Sequence, residues 1–347
     1  MTIQVTKEPI NLREKLHELE TNKGLKGNEI LQAETAQEVR SLIGAGRKNL
    51  IINGGFDVWQ RGTSQVSVTN LEQKFFADRF GIYPSGGTIT ADRVAFTQGQ
   101  TTVPGNPNYH ARIAMASGNA NNWAVIKTQL ENPERLANQT YTISFWAKGT
   151  NPGGGNFQMY ESMYHNNGGT IVPNSEIYTT VTVTSSWQKF TFTRTEAAWN
   201  SSCVLGNSNY YYWSIIQPEA DTSTNAWTLD IANIQLELGS VATDFEHRSY
   251  GEELALCQRY YQDLGRLFVQ GYGYGSGTDG VGSALLFSTT MRATPTLTKT
   301  NENHGGSYAS MEFNHPSKFG IGGLEAQTIN STQTNWVQAL VTADAEL

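Results

Sequence analysis

Cysteine is nearly absent from this chain: 347 residues contain 2, Cys203 and Cys257. They stand far apart with no CxxC or Cys/His spacing, so neither a zinc site nor a disulfide framework is signalled. Basic residues are also scarce, with 24 Lys and Arg against 31 Asp and Glu and a net charge of -7. A surface of that sign lacks the basic face that phosphates require, which excludes nucleic acid as a partner. No window holds the roughly 18 apolar residues of a membrane span. The opening MTIQVTKEPINLREKL has no apolar stretch behind basic residues. The expectation is a soluble chain made in the cytoplasm, with no membrane insertion.

Catalytic signatures are missing as well. There is no GxSxG, no HExxH and no GxxxxGK followed by Ser or Thr, and the 6 histidines fall in unrelated turns and loops. The run Gly271, Tyr272, Gly273, Tyr274, Gly275 has the glycines of a phosphate loop without a helix behind it. These absences predict a protein that is not an enzyme, with no catalytic residue, no cofactor and no metal.

What the chain does contain is turn residues and short β segments: 34 Gly and 10 Pro accompany only 16% charged residues. The first 48 residues differ. Leu12, Leu16 and Leu19 form one apolar stripe among charged residues, and Thr35 with Glu38 makes a capping box ahead of Val39, Leu42 and Ile43. Two short amphipathic helices are predicted, each too short to be stable alone. Their stripe either docks a partner or folds back on the body.

Residues 49–62 read NLIINGGFDVWQRG, predicting a first strand with a bulge at Gly54 and Gly55. Strands are then expected over 75–83, 88–96, 109–116, 123–130, 141–148, 157–164, 177–183, 187–194, 210–217 and 227–238. No helix-period segment interrupts them, so the prediction is mainly β, an antiparallel two-sheet sandwich over 49–247. Ser249 and Glu252 form a second capping box, and Tyr250, Leu254, Cys257, Tyr261 and Leu264 recur at 4,3 spacing. That seam predicts a connector helix over 248–265, followed by a smaller C-terminal β domain over 266–347.

NLIINGGFDVW resembles the opening of jelly-roll carbohydrate-binding modules. The ordered set NGGFDVWQRGTS, ADRF, YTISFWAKG, WQKFTFT, IANIQLELG, GEELALCQRYYQ, MRATPT and ADAEL resembles bacteriophage tail-fibre and capsid-fibre proteins. The resemblance implies a jelly roll, a homotrimer, and a location in the virion as a tail or capsid fibre. It also implies that residues 1–48 attach to other virion proteins. Carbohydrate-binding modules of this kind hold calcium at the sandwich edge. Asp57 matches the first acid and Asp230 lies in the last strand, but Ala232 and Asn233 stand where paired acids are needed, so no tight calcium site is expected.

Strand alternation separates candidate binding residues from core. Tyr141, Ile143 and Phe145 share one face, and Trp146 and Lys148 share the other; Phe157, Met159 and Met163 oppose Tyr160 and Tyr164. Sugars are bound by flat aromatic faces with a few polar groups fixing the hydroxyls. Trp146, Lys148, Tyr160 and Tyr164 are therefore the candidate carbohydrate-binding residues, for a host-surface glycan. The competing reading makes these aromatics core or interface in a purely structural or adaptor virion protein. A third reading, a polysaccharide-degrading tailspike, needs paired carboxylates; Asp57, Asp78, Asp92, Glu161 and Asp230 are the candidates.

Overall fold

The computed structural model describes residues 48–69, 71–115, 123–151, 156–166, 176–196, 208–217, 226–272, 283–305, 308–328 and 334–346. The two expected arm helices lie outside these residues.

Twelve strands build the first unit: β1 (Val66–Thr69), β2 (Lys74–Ala77), β3 (Phe80–Pro84), β4 (Thr88–Ala95), β5 (Tyr109–Met115), β6 (Ala124–Glu131), β7 (Thr140–Thr150), β8 (Phe157–Asn166), β9 (Ile177–Val181), β10 (Gln188–Thr195), β11 (Ser208–Gln217) and β12 (Trp227–Leu238). They form two antiparallel sheets, β1-β4-β5-β12-β7-β10 and β2-β3-β6-β11-β8-β9. The last eight strands nest: β5 lies beside β12 and β7 beside β10 in one sheet, while β6 lies beside β11 and β8 beside β9 in the other. A long hairpin rolled across two sheets gives this order, and the sandwich is a jelly roll. Period-2 alternation drives it. In β7, Tyr141, Ile143, Phe145 and Ala147 enter the core, where they meet Phe157, Met159 and Met163 of β8 and Trp213 of β11.

The expected 75–83 strand is two strands, because Arg79 adopts φ 68° and turns the chain between β2 and β3. The expected strand over 49–62 is also absent. Asn53 and Phe56 have φ of 61° and 57°, which a strand cannot hold, and side-chain amides replace the ladder. Asn53 accepts from the Val58 N–H at 2.9 Å and donates to the carbonyls of Val58 and Asp78 at 2.8 and 2.9 Å. Gly54 sits in a bulge of β12 between Ala232 and Gln235, where the Ile234 N–H donates to its carbonyl at 2.9 Å. A Cβ on Gly54 would collide with the Ile234 carbonyl, so the glycine serves a close backbone approach.

Helix α1 (Tyr250–Gln258) begins with the expected capping box of Ser249 and Glu252. It stops seven residues short of Gly265, and the 4,3 seam through Tyr261 and Leu264 is not helical. Tyr261 instead starts β13 (Tyr261–Tyr272), which pairs along its length with β18 (Thr334–Asp344). Cross-strand pairing wins there because β18 supplies Val337, Ala339, Val341 and Ala343 to a second core with Val269, Met291 and Met311. The other strands of this unit are β14 (Ser283–Leu286), β15 (Thr296–Gly305), β16 (Tyr308–Ser317) and β17 (Gly320–Thr328), arranged as sheets β13-β18-β15 and β14-β17-β16.

The two units are bonded together through the motif residues. Gln60 donates from its backbone and side chain to the Asp78 carboxylate at 2.7 and 2.6 Å and to the Tyr261 carbonyl at 2.8 Å. Arg61 lies 3.7 Å from the Tyr261 ring centroid and pairs with Asp344 at 3.1 Å. Arg292, of the MRATPT segment, lies 3.6 Å from Glu131 of β6 and donates to the Ala345 carbonyl at 3.0 Å. Cys257 of α1 is fully buried.

Candidate functional site

The four candidate binding residues fall on two opposite surfaces. Trp146 and Lys148 project from β7 on the outer face of one sheet, whereas Tyr160 and Tyr164 project from β8 on the outer face of the other. Packed sheets stand about 10 Å apart, and the outer faces are farther apart still, so one sugar cannot touch both pairs. Alternation along a strand separates inside from outside but is blind to which sheet a strand joins.

Around Tyr160 and Tyr164 the register assembles more tyrosine than the sequence reading singled out. Tyr160 lies beside Tyr178 of β9 and Ser214 of β11, Tyr164 beside Tyr210, and Tyr212 beside Ser162. The rings pack on one another: Tyr160 to Tyr178 at 4.7 Å, Tyr160 to Tyr212 at 5.6 Å, and Tyr164 stacked on Tyr210 at 5.1 Å. Lys127 of β6 borders them, its Nζ 5.6 Å from the Tyr212 ring centroid. The run Tyr210, Tyr211, Tyr212, Trp213 carried the missed signal. Strict alternation sends Tyr211 and Trp213 into the core and leaves Tyr210 and Tyr212 outside.

Tyr160 is the floor of this face, 6% exposed, and Tyr178 is its raised edge, 58% exposed. The Tyr160 hydroxyl lies 3.1 Å from that of Tyr164 and donates to Glu176 at 3.1 Å. Burial, ahead of every other influence, pushes the Tyr160 and Tyr212 phenols above their ordinary range, and burial lowers the Lys127 ammonium. Neutral phenols both donate and accept, as sugar hydroxyls do. The face offers apolar ring area with paired hydroxyls and one cation.

On the opposite surface Trp146 is half-buried between Ala232 and Lys189. Lys148 lies 3.6 Å from Asp230 and 5.1 Å from the Trp187 ring centroid. Asp230 is gripped by Arg112 at 2.7 and 2.8 Å. Burial raises its carboxyl, but Arg112 and His110 together hold it well below the usual carboxylate range. Lys148 is thus part of a charge network that serves Asp230.

Of the candidate carboxylates, Asp92 and Asp230 lie on one face, on either side of Arg112. Asp57 accepts from Asn108 at 3.3 Å and Asp92 from Gln65 at 2.9 Å. Asp78 belongs to the junction between the units. Glu161 points between the sheets, accepting from Tyr211 at 2.6 Å and from Arg194 at 3.1 Å. Among the described residues no group of three His, Cys, Asp or Glu side chains could hold a metal ion.

No protein-family model and no curated protein matches this sequence. Solved structures with a similar sandwich include the enzymatically active domain of tailspike protein 4 of bacteriophage CBA120, at 13% identity over 55% of this chain and 21% of that one, with a TM-score of 0.35. This chain thus spans about a fifth of the tailspike's length. The family 11 carbohydrate-binding module of a cellulosomal cellulase from Clostridium thermocellum is 13% identical over 54% of this chain and 99% of its own, with a TM-score of 0.30. A xylan-binding domain from Paenibacillus barcinonensis is 14% identical over 57% of this chain and 100% of its own, with a TM-score of 0.28. These likenesses carry no functional argument; the jelly roll stands on its own strand order.

Proposed function

We propose that this chain is a bacteriophage virion fibre protein that adheres to a host-surface glycan without cleaving it. The observation that carries the glycan reading is the tyrosine face of β6, β8, β9 and β11. Tyr160, Tyr164, Tyr178, Tyr210 and Tyr212 pack into one aromatic surface over the buried Ser162 and Ser214, with Lys127 at its border. Aromatic area binds the C–H face of a pyranose at low entropy cost, and the phenol hydroxyls with Lys127 supply the polar partners for its hydroxyls. Binding without cleavage is supported by the separate placement of Asp57, Asp78 and Glu161, and by Arg112, which stands between Asp92 and Asp230 on one face and engages Asp230, since glycoside hydrolysis needs two carboxyls at one cleft.

The virion assignment rests on the ordered motifs and their resemblance to phage fibre proteins. In this reading the protein is a homotrimer in a tail or capsid fibre, and residues 1–48 join it to other virion proteins. Leu286 and Phe319, 80% and 58% exposed on the C-terminal unit, are surface available for self-association. The test of function is binding of the purified protein to a glycan array and to host cells, for wild type and Tyr178→Ala. Binding by wild type that the variant loses supports adhesion. Full retention by a folded variant leaves the tyrosine face as a structural or subunit surface, and release of reducing sugar makes the protein an enzyme.

A further inference from the structure

The outer face of the sheet β13-β18-β15 carries a small aromatic shelf of its own. Strand register sets Gln270, Trp336 and Gly305 abreast in one row, and Phe268, Gln338 and Asn303 abreast in the next. Directly opposed residues share a face. The intervening Val269, Val337 and Ala339 point the other way, into the C-terminal core. Gly305 fixes the posture of the tryptophan. A Cβ there would collide with the Trp336 indole, so the ring lies across the neighbouring strand over the bare glycine backbone. Phe268 is 53% exposed, and its ring lies within 24° of parallel to the indole at a centroid distance of 6.0 Å.

We infer that this shelf is a second saccharide-binding site, taking a neutral sugar ring by its C–H face on Trp336 and Phe268 while Gln270, Gln338 and Asn303 pair with its hydroxyls. No residue of the two rows is charged, and the three amides each both donate and accept, which matches hydroxyls rather than a carboxylate or an ammonium. A protein partner is a poorer fit. A stable interface covers about 800 Å² per side with an apolar centre, whereas here amides alternate with the rings across the whole patch. The site shares its chemistry with the tyrosine face but no residue, no sheet and no core.

Titrating the full chain calorimetrically with cellohexaose, maltohexaose, mannohexaose and chitohexaose tests the inference. At least one should bind in a manner that Trp336→Ala weakens about tenfold or more, the scale of a lost stacking contact. Gln338→Ala and Gln270→Ala, at sites that bury no core, should each weaken the same sugar, and they carry the test if Trp336→Ala does not fold. The inference is overturned if none of the four sugars binds, or if folded variants bind as wild type does. A fall in the light-scattering mass of Trp336→Ala with sugar binding unchanged also overturns it, making the shelf a subunit contact. Sugar binding that depends on Tyr178 and not on Trp336 leaves the adhesion proposal standing and removes this one.

Discussion

Arg79, in the turn between β2 and β3, reaches across the chain to pair with Glu346, 267 positions later. The two side chains are 2% and 5% exposed. The Arg79 guanidinium also donates to the Gln129 carbonyl and lies 3.5 Å from the Tyr260 ring centroid. One cation therefore joins the jelly roll, the turn just after α1 and the residues that follow β18. Together with Gln60, Arg61 and Arg292, it shows that NGGFDVWQRG, ADRF, MRATPT and ADAEL meet in space as a structural junction, away from the tyrosine face.

Breaking this pair should cost more than a surface ion pair would, because the surviving charge stays buried. Glu346→Ala is expected to lose about 3 to 5 kcal/mol of stability, measured by urea unfolding. Replacing both partners, Arg79→Met with Glu346→Leu, should recover part of the loss. A single variant as stable as wild type would remove the pair from any role in holding the units together.

Asp78 gives the junction a pH dependence. Burial, opposed by the Gln60 hydrogen bonds and by Arg61, raises its carboxyl from 3.8 to about 6. The folded state therefore binds this proton more tightly than the unfolded state. Its contribution to stability is fully present below about pH 4 and is lost as pH rises through about 6. Two units correspond to about 3 kcal/mol. Measured by denaturant unfolding at pH 4, 5, 6 and 7, the stability of wild type relative to Asp78→Asn should fall by about that amount across the series. A constant difference would show that Asp78 titrates alike in both states.

Tyr178 and Trp146 sit on opposite outer faces, and their alanine variants should separate the two surfaces. Tyr178→Ala is expected to weaken host-glycan binding by about 1 to 3 kcal/mol with little change in melting temperature, since the ring is largely exposed. Trp146→Ala should leave that binding intact. Loss of binding on the Trp146 side alone would move the glycan site to the other sheet.

Gly54→Ala tests the seating of the NGG turn. Its Cβ would meet the Ile234 carbonyl in the β12 bulge, and rigid backbone cannot give way as a side-chain end can. An expected loss of about 1 to 3 kcal/mol, the scale of overpacking, is readable by thermal unfolding. A melting temperature equal to wild type would mean that the bulge relaxes.

The homotrimer and the role of the first 48 residues are open to two measurements. Light scattering of the purified protein should give three times the mass of one chain, and a monomer at micromolar concentration would sink the trimer. Deleting residues 1–47 should leave the jelly roll folded and keep the protein out of particles. Particles carrying the truncated protein at normal copy number would refute attachment through this segment.

The sequence by itself determined strands β4 to β12 of the jelly roll and the two capping-box residues that open α1, because those signals are local. Alternation in YTISFWAK and FQMYESMY sorts core from surface without knowledge of the neighbours, and Ser249 caps a helix through residues three positions away. Tertiary structure decided what local patterns cannot hold. A 4,3 seam through Leu264 was overruled at Gln258 because β18 offered β13 a ladder and a shared core. Asn53 and Gly54 became a turn rather than a strand because the Ile234 N–H in the distant β12 bulge donates to the Gly54 carbonyl and the Asn53 N–H donates to Glu253 at 2.6 Å. Trp146 and Tyr160 looked alike along the chain and came to rest on opposite surfaces, since sheet membership is set by pairing with strands far away. The same long-range pairing gathered Tyr178, Tyr210 and Tyr212 around Tyr160, and Gln270, Trp336 and Gly305 into one row, so both candidate binding surfaces exist only once the register is formed.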